Sequence, residues 1–486
     1  MWVKGIVLLL LGCTQLSRGD YIAAVVEYNS ATSKNGANWT IEENVHNYIY
    51  QIQSAHNMGA QIIVFPEYGL SGVVEDPENY SIAIPEVETA LYASNDFSPL
   101  LSLSNAAIEN KIYVVANFLE RALDTSNSTV FYSTTIVFSI TGSLIAKYRK
   151  INLYNETNLT PGSDPVTFTT EFGTFGLITS MDILYLHPSK SMFSNVNVTD
   201  VIYVAAWTSY IPFYMSLEVQ VGYALANKVN LLASNINNPV NGRGGSSIVS
   251  SDGTVLRKVL TDKSATTFMY ANVQTQSANK NFALRGFDIF DDETREVLSN
   301  YKNLNDFNYD AYTFRSLNLS SENITDEICS GDFCCSFNIL AYANETNASE
   351  VYKLVAYEGK TPLYNQQVDI KFCAVVACLY ENDISSCGVR PPSSYTTVFR
   401  HITVWGVWKS GPEDFYRPVS LKGNLDSVYN VTYLESRRNE DLAISYNITA
   451  PHSNVVLFGL FVRSGVEALS ISLSFVAFFV ILQGVF

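Results

Sequence analysis

Residues 172–185 read Phe172-Gly173-Thr174-Phe175-Gly176-Leu177-Ile178-Thr179-Ser180-Met181-Asp182-Ile183-Leu184-Tyr185. The apolar run Thr174–Thr179 predicts a buried strand, and the polar residues from Thr179 to Asp182 predict a turn at its end. An apolar strand running into a polar turn is the pattern of a nucleophile turn, in which a sharp backbone lifts a reactive side chain above the sheet. Taken alone, the stretch equally suits a strand-to-helix connection whose serine or aspartate caps the helix.

Outward from this stretch the sequence alternates strands and helices. Strands are predicted at Tyr21–Tyr28, Gln61–Phe65, Lys111–Phe118, Val201–Ala206 and Asn230–Ser234. Thr40, with Glu43 three residues on, predicts a capping box. The helix it opens would bury Ile41, Val45, Tyr48, Ile49, Ile52 and Ala55 and end at Gly59. A second helix is predicted over Leu217–Lys228. Hairpins are expected at Val130–Ser139 with Leu144–Tyr148, and at Ser247–Ser250 with Thr254–Lys258 around Asp252-Gly253. This is the order of a layered α/β domain. After about residue 305 the helical period fades and short apolar strands such as Val368–Val376 and Tyr395–Trp408 take over. The expected organisation is a leader over 1–19, an α/β domain over 20–305, a smaller, mostly β domain over 306–460, and an apolar tail over 461–486.

Two further strand ends carry chemistry. Phe65-Pro66-Glu67-Tyr68-Gly69 places a carboxylate just past an apolar strand, where partial burial would raise its pKa toward that of a working base. Tyr148-Arg149-Lys150-Ile151-Asn152-Leu153-Tyr154 places a lysine at the end of a hairpin, where it can stabilise an oxyanion. Each alone is an ordinary loop residue; the three together are far more specific. Their order and context resemble the nitrilase superfamily, most closely its vanin/biotinidase branch. The resemblance runs over nearly the whole chain, through Ala205–Pro212, Asn230–Pro239 and the spacing Cys329, Cys334-Cys335, Cys373, Cys378, Cys387. It implies an α-β-β-α sandwich followed by a β-rich domain, and hydrolysis of linear amides such as pantetheine or biotinyl amides. By position, Glu67 matches the general base and Lys150 the lysine that stabilises the tetrahedral intermediate. Trp207 matches a stretch lining the pocket. Glu156 matches a second, supporting glutamate, its spacing from Lys150 one residue short.

The nucleophile of that family is a cysteine, and its position here falls on Ser180. No cysteine occurs between Cys13 and Cys329. A thiol ionises near pH 8.5, whereas a serine hydroxyl is several pK units less acidic, each unit being worth about 1.4 kcal/mol. Serine nucleophiles work beside a histidine or lysine base. The five histidines, at 46, 56, 187, 401 and 452, offer no obvious base, and no G-x-S-x-G elbow occurs. Lys150 as base is a further option. The expectation is a pantetheine-like amide site with impaired turnover. The alternatives are a working amidase that uses Ser180, and a non-catalytic surface adhesion glycoprotein. No cofactor and no metal are called for.

The rest of the sequence speaks to compartment. Lys4, the apolar run Ile6–Leu11 and Gly19 form a secretory-signal pattern. Ser464-Gly465 ahead of an apolar tail, with no Lys or Arg after Arg463, is the pattern of a GPI-attachment signal on the outer face of the cell membrane. A short transmembrane tail or a buried last helix are the alternatives. Twelve N-x-S/T sequons, at Asn38, Asn79, Asn127, Asn155, Asn158, Asn197, Asn318, Asn323, Asn344, Asn347, Asn430 and Asn447, predict a glycosylated surface. In an oxidising compartment Cys329, Cys334, Cys335, Cys373, Cys378 and Cys387 make three disulfides, in any of 15 connectivities. A zinc site is disfavoured, since that cluster holds no histidine. The net charge of −16 argues against nucleic acid as a partner.

Overall fold

The computed structural model describes residues 20–464 except 33–34, 89–97, 195, 276–297, 299–300, 303, 306–310, 320–322, 343–349, 364–365, 393–394 and 412–413. The expected leader, residues 465–486 of the expected tail, Asn344 and Asn347 therefore lie outside the described residues. Among the described residues, no helix is long and apolar enough to cross a membrane.

Two six-stranded sheets build the first domain. In one, β1 (Tyr21–Glu27), β2 (Ile62–Val64) and β3 (Tyr113–Leu123) run parallel. β4 (Thr129–Phe138) and β5 (Leu144–Arg149) continue them antiparallel on one side, and β13 (Thr267–Val273) closes the other. In the second sheet β7 (Thr174–Thr179), β8 (Asp200–Ala205) and β10 (Asn230–Asn235) run parallel. β6 (Val166–Thr169) flanks them on one side, and β11 (Ser246–Val249) with β12 (Val255–Val259) on the other. A strand points alternate residues to opposite faces, so both faces of these buried strands must be apolar. β1 shows this directly. Tyr21, Ala23 and Val25 join the core between the sheets, with Ile62, Val115, Phe175, Leu177, Ile202, Val204 and Leu232. Ala24 and Val26 point the other way, into a core shared with α1 (Ala37–Asn57) and α2 (Pro99–Asn110).

The outer face of the second sheet, with Ile178, Val201, Tyr203, Leu231 and Ala233, packs into the core that α4 (Ser216–Asn227) and the second domain complete. The layers are α-β-β-α, with the second domain beyond α4. The helix α1 begins at Ala37, three residues ahead of Thr40, and the capping box expected at Thr40 and Glu43 is absent. The Thr40 hydroxyl instead donates back to the Gly36 carbonyl at 3.1 Å. On its core face Ile41, Val45, Tyr48, Ile52 and Ala55 are buried as the periodicity predicts, while Ile49 is only half-buried. The helix α2, absent from the expected elements, buries Leu100, Leu103 and Ala107 on one face; Ser98 caps it, accepting from the Leu101 N–H at 3.3 Å.

The second domain is two antiparallel sheets face to face. One runs β16 (Ile324–Ser330), β17 (Phe333–Tyr342), β21 (Val398–Lys409), β24 (Asp441–Ile448), β23 (Val431–Arg438). The other runs β15 (Thr313–Ser316), β18 (Val351–Leu363), β19 (Gln366–Tyr380), β25 (Val455–Arg463), β22 (Phe415–Lys422), with β20 (Asp383–Cys387) on β19. β25 crosses the boundary expected at residue 460, and the Ser464 N–H still donates to the Asp369 carbonyl at 3.0 Å. Of the remaining short elements, β9 (Tyr210–Ile211) pairs with β14 (Leu304–Asn305), and α3 (Leu186–Ser189) is a single turn.

Strand register selects the disulfides. Cys329 stands opposite Cys334 in the β16–β17 hairpin, and Cys378 opposite Cys387 in β19–β20; each pair is bonded. Cys335–Cys373 joins β17 to β19 and so ties one sheet to the other. Glu327 lies beside Cys329 and Cys334, but a disulfide consumes both thiols. Only the inter-sheet bond closes a long loop, with a separation of 38 residues against 5 and 9. The chain-entropy relation gives about 4 kcal/mol for it and about 2–2.6 kcal/mol for the others. Replacing Cys335 and Cys373 by serine is expected to lower thermal stability most of the three pairs. Differential scanning calorimetry of the three double variants would reject this order if either short-loop pair cost more.

Candidate active site

The three strand-end loops converge at one end of the sandwich. Ser180 directly follows β7 in a tight turn with φ 42°. A left-handed backbone at a non-glycine residue costs on the order of 1–3 kcal/mol and persists only where its surroundings impose it. Here Asp182 does so. Its Oδ2 accepts from the Thr179 N–H at 3.1 Å and from the Tyr148 hydroxyl at 2.5 Å. Its Oδ1 accepts from the Asn152 N–H at 2.7 Å and Asn152 Nδ2 at 2.9 Å. One fully buried carboxylate thus locks the Ser180 turn to the segment Tyr148–Asn152 that carries Lys150. The sequence reading allowed Asp182 only a capping role.

Glu67 follows β2, and Tyr68 after it is again left-handed, with φ 57°. The Asn117 carboxamide holds this turn, accepting from the Tyr68 N–H at 3.2 Å and donating to the Ser133 hydroxyl at 3.1 Å. Lys150 extends the β5 edge, its N–H donating to the Ser133 carbonyl at 2.9 Å. Just before it, Arg149 grips the buried Glu120 through two bonds of 2.6 and 2.9 Å.

The Ser180 hydroxyl donates to Glu67 Oε2 and accepts from the Ala206 N–H at 2.9 Å. Glu67 Oε1 accepts from the Ser133 hydroxyl at 2.8 Å and from Lys150 Nζ at 3.1 Å. Lys150 Nζ also donates to both Glu156 oxygens at 2.8 Å. The Tyr68 hydroxyl and the Tyr154 N–H fix Glu156 at 2.7 and 2.9 Å. Two carboxylates therefore share one ammonium. Burial pushes Glu67 up and Glu156 adds to this, while Lys150 opposes it. For Glu156 burial acts upward as well, but Lys150 and its hydrogen bonds outweigh it and hold the carboxyl low. Burial works against the charge of Lys150, and the two carboxylates outweigh it, raising its pKa. The result is a persistent Lys150–Glu156 ion pair and a more basic Glu67 poised on the Ser180 hydroxyl.

An apolar cluster of Tyr68, Leu119 and Ile236, with Val74, Leu159 and Ala206, lies against this polar centre. Residues 22–280 match the carbon-nitrogen hydrolase family model, and residues 301–467 match the vanin C-terminal domain model. The chain belongs to the carbon-nitrogen hydrolase family. It is similar to vanin-like protein 1 of Drosophila melanogaster, 28% identical across 95% of this chain and 90% of that protein. It is also similar to biotinidase of Takifugu rubripes, 29% identical across 78% and 83%. Human pantetheinase is 29% identical across 69% and 68%. The fold of this carbon-nitrogen hydrolase chain is thus vanin- and pantetheinase-like.

Trp207 neighbours Ala206 but turns away from the apolar cluster into the large core shared with the second domain, its indole N–H donating to the Tyr214 carbonyl at 2.9 Å. The histidines give no base. The His187 ring nitrogens pair with the Ser191 hydroxyl and the Ser163 carbonyl at 2.9 and 3.1 Å. His46 and His56 are exposed on α1, and His452 pairs with the Tyr429 carbonyl at 2.7 Å.

Glu27, at the end of β1, was not singled out by the sequence. Fully buried, it accepts from Asn237 Nδ2, the Gly245 N–H and the Ser246 hydroxyl at 2.9, 2.8 and 3.0 Å. Burial raises its pKa to about 7 despite these donors. Between the unfolded value near 4.5 and about 7, the folded protein binds the extra proton. Its contribution is therefore complete below pH 4.5 and is lost as pH rises through 7. Urea unfolding of wild type and Glu27→Gln at pH 5 and 7.5 is expected to show a steeper fall for wild type; parallel falls would contradict it.

Proposed function

We propose that this chain binds a linear, pantetheine-like amide at the Glu67–Lys150–Ser180 site and turns it over slowly. Ser180 stands where the resemblance places a cysteine. The observation that carries this reading is the Ser180 hydroxyl donating to Glu67 Oε2 while Lys150 holds the other oxygen. In the reaction, Ser180 Oγ attacks the amide carbon and its proton passes to Glu67. Lys150 stabilises the oxyanion. The carbon–nitrogen bond then breaks, the amine leaves with the proton from Glu67, and water with Glu67 as base cleaves the ester.

Turnover is impaired because a base matched to a thiol must deprotonate a hydroxyl. A fully working serine amidase is the second reading, favoured by the Ala206 N–H on Ser180 Oγ, which stabilises developing alkoxide. A purely adhesive role fits less well, because a buried carboxylate and a buried ammonium, joined by the half-buried Glu156, are a costly arrangement without a site to serve.

The setting we infer is the outer face of the cell membrane, reached by secretion and held by a GPI anchor at Ser464. Asn38, Asn79, Asn127, Asn155, Asn158, Asn197, Asn318, Asn323 and Asn430 are exposed and open to glycosylation, while Asn447 is half-buried. Purified protein is expected to bind pantetheine and release its thiol slowly, and Ser180→Ala to keep binding and lose release. Absence of binding, or equal release by wild type and Ser180→Ala, would overturn the proposal.

A further inference from the structure

We propose that Arg243, with Thr208 and Asn238, forms an anion-reading subsite beside Ser180, so that the preferred amide carries a carboxylate or phosphate on its acyl arm. This rests on the amide-hydrolase reading of Ser180. Residues 238–245 read Asn-Pro-Val-Asn-Gly-Arg-Gly-Gly, and Arg243 is their one ionisable residue.

The loop is braced on several sides. Asn238 and Arg243 exchange two backbone hydrogen bonds of 3.0 Å. The Gly242 carbonyl accepts from the Tyr301 hydroxyl at 3.0 Å and from the Ser209 N–H at 2.8 Å. Asn235 Nδ2 holds the Gly244 carbonyl at 2.8 Å, and Glu27 holds the Gly245 N–H at 2.8 Å. Gly244 and Gly245 adopt φ 146° and 92°, which residues with a Cβ rarely reach. These contacts and the two glycines hold the loop in one shape.

From that scaffold Arg243 Nε donates to the Thr208 hydroxyl at 3.1 Å, and the two residues also form an antiparallel bridge. Thr208 is two residues beyond Ala206, whose N–H holds Ser180 Oγ. The Arg243 charge is also felt by Tyr68, which belongs to the apolar cluster that includes Ala206 and Ile236. Asn238 Oδ1, on the same loop, is buried without a hydrogen-bond partner among the described residues, a deficit that a ligand hydroxyl or amide N–H would relieve.

The chemistry sets the direction of the substrate. A leaving amine must collect its proton from Glu67, so the amine arm lies toward Glu67. The acyl arm then runs to the Ala206 side, which carries Thr208 and Arg243. A half-buried guanidinium is the residue suited to carboxylate or phosphate.

The test uses the full chain with Ser180→Ala, so that no turnover intrudes, and calorimetric titration of two probe pairs. These are butyramide against succinamate, and pantetheine against its 4′-phosphate ester. One anionic member is expected to bind about tenfold tighter than its neutral parent. The advantage should vanish in Arg243→Gln, weaken in Thr208→Val, and shrink with salt; the pair that shows it identifies carboxylate or phosphate. Equal binding within both pairs, or an advantage that survives Arg243→Gln, overturns the subsite and leaves the amide site standing. Failure of all four probes to bind overturns the amide-hydrolase reading itself. The comparison of neutral and anionic probes in the Ser180→Ala parent holds even if Arg243→Gln fails to fold.

Discussion

Ser180→Cys is expected to release thiol from pantetheine about 1,000-fold faster than wild type or more. A thiol is several pK units more acidic than a hydroxyl; three units are worth about 4 kcal/mol, or three powers of ten in rate. The surrounding groups already suit a thiolate: Glu67 to take the proton, Lys150 to stabilise the oxyanion, and a left-handed turn that Asp182 imposes whatever the side chain. The hydroxyl sits close against Glu67, so the larger sulfur must move slightly outward, a shift small beside the gain. Because burial raises Glu67, the acid limb of kcat/KM in Ser180→Cys should lie above the ordinary glutamate value of 4.5. A Ser180→Cys enzyme no faster than wild type would show that the serine is not what limits turnover. An acid limb below 4.5 would remove Glu67 as a base tuned by burial.

The second large effect is on stability. Lys150→Met leaves the buried Glu67 and the half-buried Glu156 facing one another with no cation. Breaking a buried ion network from one side costs about 3–5 kcal/mol. Part of that is relieved when one carboxyl takes up a proton, which raises its folded pKa above the unfolded value. The loss is then smallest at low pH and grows as pH rises through the raised pKa. Urea unfolding at pH 5 and pH 8 is expected to show a larger deficit at pH 8. Lys150→Met with Glu156→Gln should recover part of it, since one charge then remains rather than two. A deficit below about 1 kcal/mol, or one independent of pH, would show that the ammonium is not the keystone of the site.

Much of the fold was legible because its signals are local. Thr174–Thr179 is apolar on both faces and became a central strand, as did Asp200–Ala205. Asp252-Gly253 turned the hairpin expected of it. The capping box failed because Thr40 found the Gly36 carbonyl once α1 began a turn earlier, a choice that Gly36, Ala37 and the packing of α1 made together. The candidate site was legible as three strand ends, and in the structure Lys150 and Ser180 each hydrogen-bond to Glu67. Glu156 was a positional match one residue out of step; its side chain nonetheless reaches Lys150, because the irregular loop between them absorbs the offset. Asn117 and Glu27 gave no sequence signal, and Asp182 only that of a helix cap, since a buried polar residue looks like any other until its partners are placed.

By itself, the sequence determined the layered α/β domain, the β-rich domain after it, and the presence of a serine where the resemblance expects a thiol. Those are properties of period and residue identity along one stretch of chain. Only the tertiary structure decided which cysteines pair, which carboxylate Lys150 holds most tightly, and that Arg243 meets Thr208. Each of those depends on strand register and loop shape between segments far apart in the chain, and on burial, which sets the cost of every unpaired charge.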